Sequence, residues 1–412
     1  MAKRTVNWGR TPWTIAFRAK ARRLPDKVDV AIIGGGFTGL TAAAVFKHLA
    51  PQKSVLLLEA ERVGNGASGR TGGLVLAETA AGKLPGLGDV LKGYRRILRQ
   101  LGVKADLELP GVWELARGTK SMEGKTVRAQ KDSPIEWNDL GKLRAVEKVP
   151  GGAVDPGKVV TGLARAATRA GAQIAEHSAV EKIDFRKPLR LHIHRRSRGR
   201  VIKRTIFADR VLIATNAGSL QLGDALFAGH EPAEPKLTFA VATAPLRKKV
   251  LTEMGFASRQ PCYTVDLPYL WARLRKNTVI LGSGLVPGWG ESMRSGSGRT
   301  KSVKFDPTTL WSGLQGLDTH KDDAAACLKS LEHRMRGLHP ALEKIRVTHR
   351  WGGPILLTKD FVPVFQRHPK SANVVVAGGY SGHGVALSVY LGEWAAQHLL
   401  GRRPLPQWRV NS

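Results

Sequence analysis

The stretch "DVAIIGGGFTGLTAAAVFKHLA", residues 29–50, limits the possible folds more than any other part of the chain. A mostly apolar run meets three glycines and then becomes a helical pattern. Glycine weakens any regular element, so three in succession imply that something must approach the main chain closely. Val28 to Ile33 is apolar and largely β-branched, which predicts a strand buried in a parallel sheet. Leu40, Ala43, Ala44 and the segment from Phe46 to Leu49 form the stripe of a helix over 37–49. "SVLLLEA", residues 54–60, predicts a second buried strand.

The unit is therefore βαβ, with Gly34-x-Gly36-x-x-Gly39 at its first turn. Gly34 lets the chain turn tightly. Gly36, with Gly35, Phe37 and Thr38 around it, leaves room for a pyrophosphate at the helix N-terminus. Gly39 lets helix and strand pack closely. Glu59, followed by Ala60, ends the second strand, where an acidic group binds a ribose hydroxyl pair. A dinucleotide with a free adenosine 2′-hydroxyl fits: FAD or NAD rather than NADP.

"ERVGNGASGRTGGLV", residues 61–75, holds five glycines, Ser68 and Arg70, with nothing to form a core. Such a loop can wrap a pyrophosphate and reach an isoalloxazine. "GASGRTGG" after "LLLEAERVG" resembles the D-amino-acid-oxidase-type FAD-dependent oxidoreductases, and most of all the sarcosine oxidase, glycine oxidase and γ-glutamylputrescine oxidase branches. The resemblance implies cofactor contacts at Arg62, Gly66, Ala67, Ser68, Arg70, Thr71, Gly72 and Gly73.

Four later blocks extend it. "DPGKVVTGLARAATRAGAQIAEHSAVEKI", residues 155–183, opens with Asp155 as a helix cap and Pro156 in the first turn, and Gly171 ends the helix. In the family the position of Val180 binds adenine through its backbone. "ADRVLIATNAGS", residues 208–219, places Ala214, Thr215, Asn216 and Gly218 near the cofactor. "HRWGGPILLTKDFVPVF", residues 349–365, brings Gly353 there. "VVVAGGYSGHGVALSVYLGEWAAQHLLG", residues 374–401, reads as a strand, a second glycine loop and a helix, with Gly382, His383, Gly384 and Val385 at the helix start. Free N–H groups there, set against flavin N1 and O2, would stabilise the reduced ring, and His383 could add a donor.

The implied fold is α/β, with a discontinuous Rossmann-like FAD-binding domain and an antiparallel-sheet α+β substrate domain. The expected division is a basic arm over 1–27, a cofactor domain over 28–90, 150–225 and 345–412, and a substrate domain over 91–149 and 226–344. The implied activity is oxidation of an amine or amino acid: hydride passes to flavin N5 and the imine hydrolyses. Oxygen or another acceptor then takes the electrons. "CYTVDLPYLWARL", residues 262–274, resembles the substrate-domain strand that faces the ring. By alternation Tyr263, Tyr269, Trp271 and Arg273 share a direction. An aromatic wall suits an alkyl amine, and Arg273 suits a carboxylate. Gly353 stands where flavinylated members carry a tethering cysteine, so FAD is expected to be non-covalent. Ala386 replaces the lysine that holds the substrate carboxylate in sarcosine oxidases, and an oxygen-activating lysine falls near Ile280.

Two cysteines among 412 residues exclude a disulfide framework and suit a reducing compartment. No stretch is long and apolar enough to span a bilayer, no signal peptide is evident, and the expected location is cytoplasmic. A net charge of +32 attracts anions. Basic residues are densest in the first 27 residues (Lys3, Arg4, Arg10, Arg18, Lys20, Arg22, Arg23, Lys27), expected to pack as an arm, and over 186–210, where alternation predicts a strand pair with a basic turn at Arg195 to Arg200. A flavoenzyme acting on a modified tRNA base, a flavin-binding protein without turnover and an NAD enzyme are the competing readings. The chain shows no separate RNA-binding module.

Overall fold

The structure, a computed structural model, describes residues 8–121, 124–197, 200–222, 234–287 and 322–408. The apolar run of residue 28 onward forms strand β1 (Lys27–Ile33), followed by helix α1 (Phe37–Leu49) and strand β2 (Val55–Leu58). β1 lies between β2 and the strand Arg200–Ile213, parallel to both. Flanked on both edges and covered on both faces, Ala31, Ile32, Leu56 and Leu57 are wholly buried, which is why this segment carries almost no polar residue.

The first sheet has eight strands. Its main path runs Val364–His368, Ser371–Gly378, Arg200–Ile213, β1, β2, Gln173–Ala175. The strand Arg200–Ile213 serves three partners: its first part pairs antiparallel with Leu189–Ser197, and its end runs parallel to β1 on one side and to Ser371–Gly378 on the other. The predicted basic strand pair is therefore present, with Ser197 opposite Arg200, while residues 198 and 199 lie outside the described residues. α1 packs with the helix Pro156–Arg169 and the C-terminal helix Gly384–Leu399 into one apolar core on a single face of the sheet.

The second sheet also has eight strands, in the order Val347–Leu357, Glu234–Thr243, Thr278–Pro287, Leu270–Arg275, Cys262–Thr264, Val112–Ala116, Lys142–Val149, Glu136–Asn138. All its pairs are antiparallel except Cys262–Thr264 with Val112–Ala116. The helix Asp322–Leu338 covers it, anchored where Arg334 and Arg117 both pair with the buried Asp139.

Two elements cross the expected divisions. Val347–Leu357 pairs along its length with Glu234–Thr243 in the second sheet, because that strand needs a partner for its outer row of backbone groups. The helix Val90–Gln100 turns Val90, Tyr94, Ile97 and Leu98 into the first core, where its apolar stripe meets the C-terminal helix. The arm, described from Trp8 onward, is extended. It first bridges the edge of the second sheet, where Arg10 N–H donates to Arg350 O and Gly352 N–H donates to Trp8 O, and then crosses to the first. Among the described residues no helix is long and apolar enough to cross a membrane.

Candidate active site

The glycine turn joins two kinds of close approach. Gly34 has φ +109°, and a Cβ there would lie 2.6 Å from Ala214 O. A Cβ on Gly39 would lie 2.0 Å from Gly34 O. These two glycines are required by the chain's packing on itself. Gly36 differs: its Cβ would meet only Ser68, at 2.9 Å from Oγ, so its remaining side is open to a ligand. Gly36 is also the N-cap of α1, with no side-chain cap and no acidic residue in the first turn. Ser68 Oγ accepts from Phe37 N–H at 2.9 Å, and the Thr38 and Gly39 N–H groups have no carbonyl behind them in the helix. A bare helix start with a glycine at its mouth is an anion cradle, and it fits a pyrophosphate.

Glu59 sits at the end of β2 with Ala60. Its Oε2 accepts from Gly35 N–H at 2.7 Å and its Oε1 from Glu61 N–H at 2.9 Å. Burial raises its carboxyl to about 7. Val180 lies on the strand Ser178–Asp184, which starts beside Glu59: Ser178 N–H donates to Glu59 O at 2.8 Å.

Two more loops reach the same end of the sheet. Ala214 N–H donates to Ile33 O at 2.8 Å, leading into Thr215, Asn216 and Gly218. Asn216 Oδ1 accepts from Gly379 N–H at 2.9 Å. Tyr380 and Thr38 share a hydroxyl–hydroxyl bond of 2.6 Å, which ties the second glycine loop to the start of α1. Thr358 N–H donates to Ser381 Oγ at 3.1 Å. Asn216 and Ser381 both have φ +48°, a conformation that costs a non-glycine residue energy and that surrounding bonds must hold. His383 is the N-cap residue of the C-terminal helix, and burial holds its imidazole below the usual range, in the neutral form. Gly382 is open on its Cβ side, while Gly384 packs on the Tyr380 ring and Val385 is buried.

The loop 61–75 closes over these elements as a tight turn at Ala67–Gly69. Arg70 N–H and Thr71 N–H both donate to Ala67 O. Gly66 is open and Arg62 is exposed. Gly73, at φ +78°, abuts Val154 O. Gly353 stands against Arg70, where a Cβ would meet Arg70 Cβ at 3.1 Å. The Arg70 side chain is committed elsewhere than the expected cofactor contact: its Nε donates to Asn65 O, and its guanidinium lies 5.6 Å from the Trp8 ring of the arm. Burial lowers it to about 10.

The second sheet supplies a wall. Trp271 and Tyr263 are directly opposite in the ladder, so their side chains share a face. The Trp271 ring covers Gly72, where a Cβ would fall 2.2 Å from it, and Gly282 on the neighbouring strand. Tyr263 donates its hydroxyl to Glu114. Arg273 departs from expectation. It shares the Trp271 face but is 3% exposed, with Nη1 donating to Val154 O at 2.8 Å. Alternation gives a side chain's face but not its depth, and this strand runs from the cleft into the joint between the sheets. Tyr269 precedes the strand; its carbonyl accepts from Ser283 and Arg334. Burial raises its hydroxyl. Ala386 and Ile280 are buried apolar positions. Glu114 and Trp13 also support these residues, and nothing in their local sequence marks them, whereas Trp351 falls within the block 349–365. Among the described residues no cluster of three metal-ligating side chains occurs.

The chain resembles known proteins along most of its length. The chain is 28% identical over 410 residues to γ-glutamylputrescine oxidoreductase of Escherichia coli (strain K12), covering 90% of this chain and 84% of that protein. It is 25% identical over 410 residues to the probable oxidoreductase OrdL of Haemophilus influenzae, covering 91% and 84%. The solved glycine oxidase of Bacillus cereus has the same fold, with a TM-score of 0.65 and 18% identity over 92% of this chain and 99% of that one. The family described as FAD dependent oxidoreductase matches residues 29–398, and the chain belongs to it.

Proposed function

We propose that this protein oxidises the C–N bond of a small amine and holds its FAD without a covalent link. The observation that carries the reading is the Trp271 ring lying against Gly72: an aromatic wall of one sheet stands directly over the glycine loop of the other. Bound FAD would supply the acceptor for the hydride on the carbon beside nitrogen.

The chain's own residues do the rest. The first-turn N–H groups of α1 and the open side of Gly36 take the pyrophosphate, and Glu59 takes the ribose hydroxyls. The main chain at Val180 meets adenine. The start of the C-terminal helix, with neutral His383, would offer N–H donors to the pyrimidine edge of a bound flavin. Trp271 and Tyr263 line the substrate side and exclude water. No base is required when the amine binds neutral.

Two features favour an amine over an amino acid. Ala386 offers no cation for a carboxylate, and Arg273 is already bonded to Val154 O. For the non-covalent link, both cysteines pack with the second core, and neither is among the nearest neighbours of a Cβ at Gly353.

Anaerobic mixing with a panel of alkylamines, diamines and N-methyl amino acids tests the reading. Bleaching of the flavin absorbance by at least one amine, faster than by any amino acid, is expected whatever the electron acceptor. A flavin that stays oxidised with the whole panel overturns it.

A further inference from the structure

The arm at residues 8–23 lies outside the matched part of the chain, which begins at 29, yet it touches the glycine loop 61–75 at three points and is bridged to it at a fourth. Trp13 Nε1 donates to Gly69 O at 2.7 Å. The Ile15 methyl lies so close that a Cβ on either Gly64 or Gly69 would come within 2.8 Å of it. The Arg70 guanidinium sits over Trp8. Glu176 links the two segments: its Oε2 accepts from Ala19 N–H of the arm and its Oε1 from Val63 N–H of the loop. Trp351 adds the matching bond, Nε1 to Arg70 O at 2.9 Å, and its ring meets Trp13 edge to face at 5.4 Å. Two indoles thus hold two successive loop carbonyls from the outer side. The arm is itself secured beyond the loop, where Ala16 N–H donates to Thr161 Oγ1 and Arg165 donates to Ala16 O.

We propose that the arm is a strap that holds the glycine loop closed over FAD, with Trp13 as the positioning residue, so that the cofactor leaves only when the strap lifts. The strap rests on the proposed function, with loop 61–75 wrapping the bound FAD as its glycines imply. A loop wrapped around a ligand must move outward to release it, and Trp13 and Ile15 occupy the outward path. Gly64 and Gly69 leave room for Ile15 of the strap as well as for the loop's own packing on Val160 and Gly64 O. Linkage makes the effect reciprocal: bound FAD must also hold the strap down.

The test uses the full-length holoenzyme. FAD release is followed by flavin fluorescence after dilution, and arm opening by tryptic cleavage at the exposed Arg18, Arg22 and Arg23. Trp13→Phe keeps a ring against Trp351 but removes the N–H donor; Glu176→Gln weakens the second link. Each is expected to release FAD about five- to tenfold faster, the loss of roughly one hydrogen bond. Added FAD is expected to restore full flavin content to both variants. In the unsubstituted protein FAD should slow cleavage of the arm about tenfold or more. Unchanged release in both variants, or equal cleavage with and without FAD, overturns the strap. Glu59→Ala separates the two levels. If it sheds FAD while Trp13→Phe and Glu176→Gln do not, the strap alone falls. If it keeps FAD as tightly as the parent, the site reading falls and takes the strap with it.

Discussion

The hydroxyls of Thr38 and Tyr380 lie 2.6 Å apart across 342 residues of sequence. One stands in the first turn of α1 and the other in the loop before the C-terminal helix, so the bond joins the two glycine-rich segments. Tyr380→Phe leaves the buried Thr38 hydroxyl without this partner, at a cost of about 1 kcal/mol. FAD affinity, measured by titrating the flavin-free protein, should fall about fivefold. Unaltered affinity would mean that the two loops do not act as one site.

Glu59 gives a pH dependence with a definite sign. Burial raises its carboxyl from 4.5 to about 7 in the folded chain. The folded state therefore holds this proton more tightly than the unfolded one. Its contribution to stability is complete below pH 4.5 and is lost as pH rises through 7. Denaturant unfolding of the flavin-free protein should show stability falling by up to about 3 kcal/mol across this window. The Glu59→Gln protein should be flatter there, and a parallel profile for the two counts against the assignment.

Trp271→Ala removes the ring that covers Gly72 and Gly282. The cofactor cradle, built on the other sheet, remains. The purified variant should therefore still be yellow. The ring serves the substrate complex and the transition state alike, so its removal raises KM, here about tenfold, with kcat within about threefold. Steady-state kinetics with the best amine of the panel measure the split.

Asp139 holds the second sheet together. Its side chain is 1% exposed and pairs with both Arg117 and Arg334. Burial by itself would raise the carboxyl, but the Arg334 and Arg117 guanidiniums outweigh it and hold the acid below its usual range. Asp139→Asn leaves Arg334 without a carboxylate, while Arg117 keeps Asp266, and a loss of about 3 kcal/mol is expected in thermal or denaturant unfolding. A change below about 1 kcal/mol would show that the network contributes little.

The legible part of this fold is the part whose physics is local. The steric demand on Gly34 and Gly39 arises within the βαβ unit or from the strand beside it, so the spacing of glycines states it directly. The same holds for Asp155, whose carboxylate accepts from Lys158 N–H three residues on. The loop 61–75 was legible only in part. All five of its glycines look alike in the sequence, yet Gly64 and Gly69 face the arm and Gly72 faces Trp271. Gly64 and Gly72 answer to residues far away along the chain, and Gly69 to both Ile15 and the nearby Gly64 O.

The sequence by itself determined the glycine-hinged strand–helix–strand, its bare helix start and its terminal glutamate, because close backbone contact and an uncapped helix are enforced over a few residues. Tertiary structure alone decided that Arg273 is sealed in the joint between sheets, that Val347–Leu357 pairs in the second sheet, and that Trp13 reaches Gly69 across the loop. Those outcomes depend on which surfaces meet, and a strand's alternation or an arm's composition does not encode its distant partner.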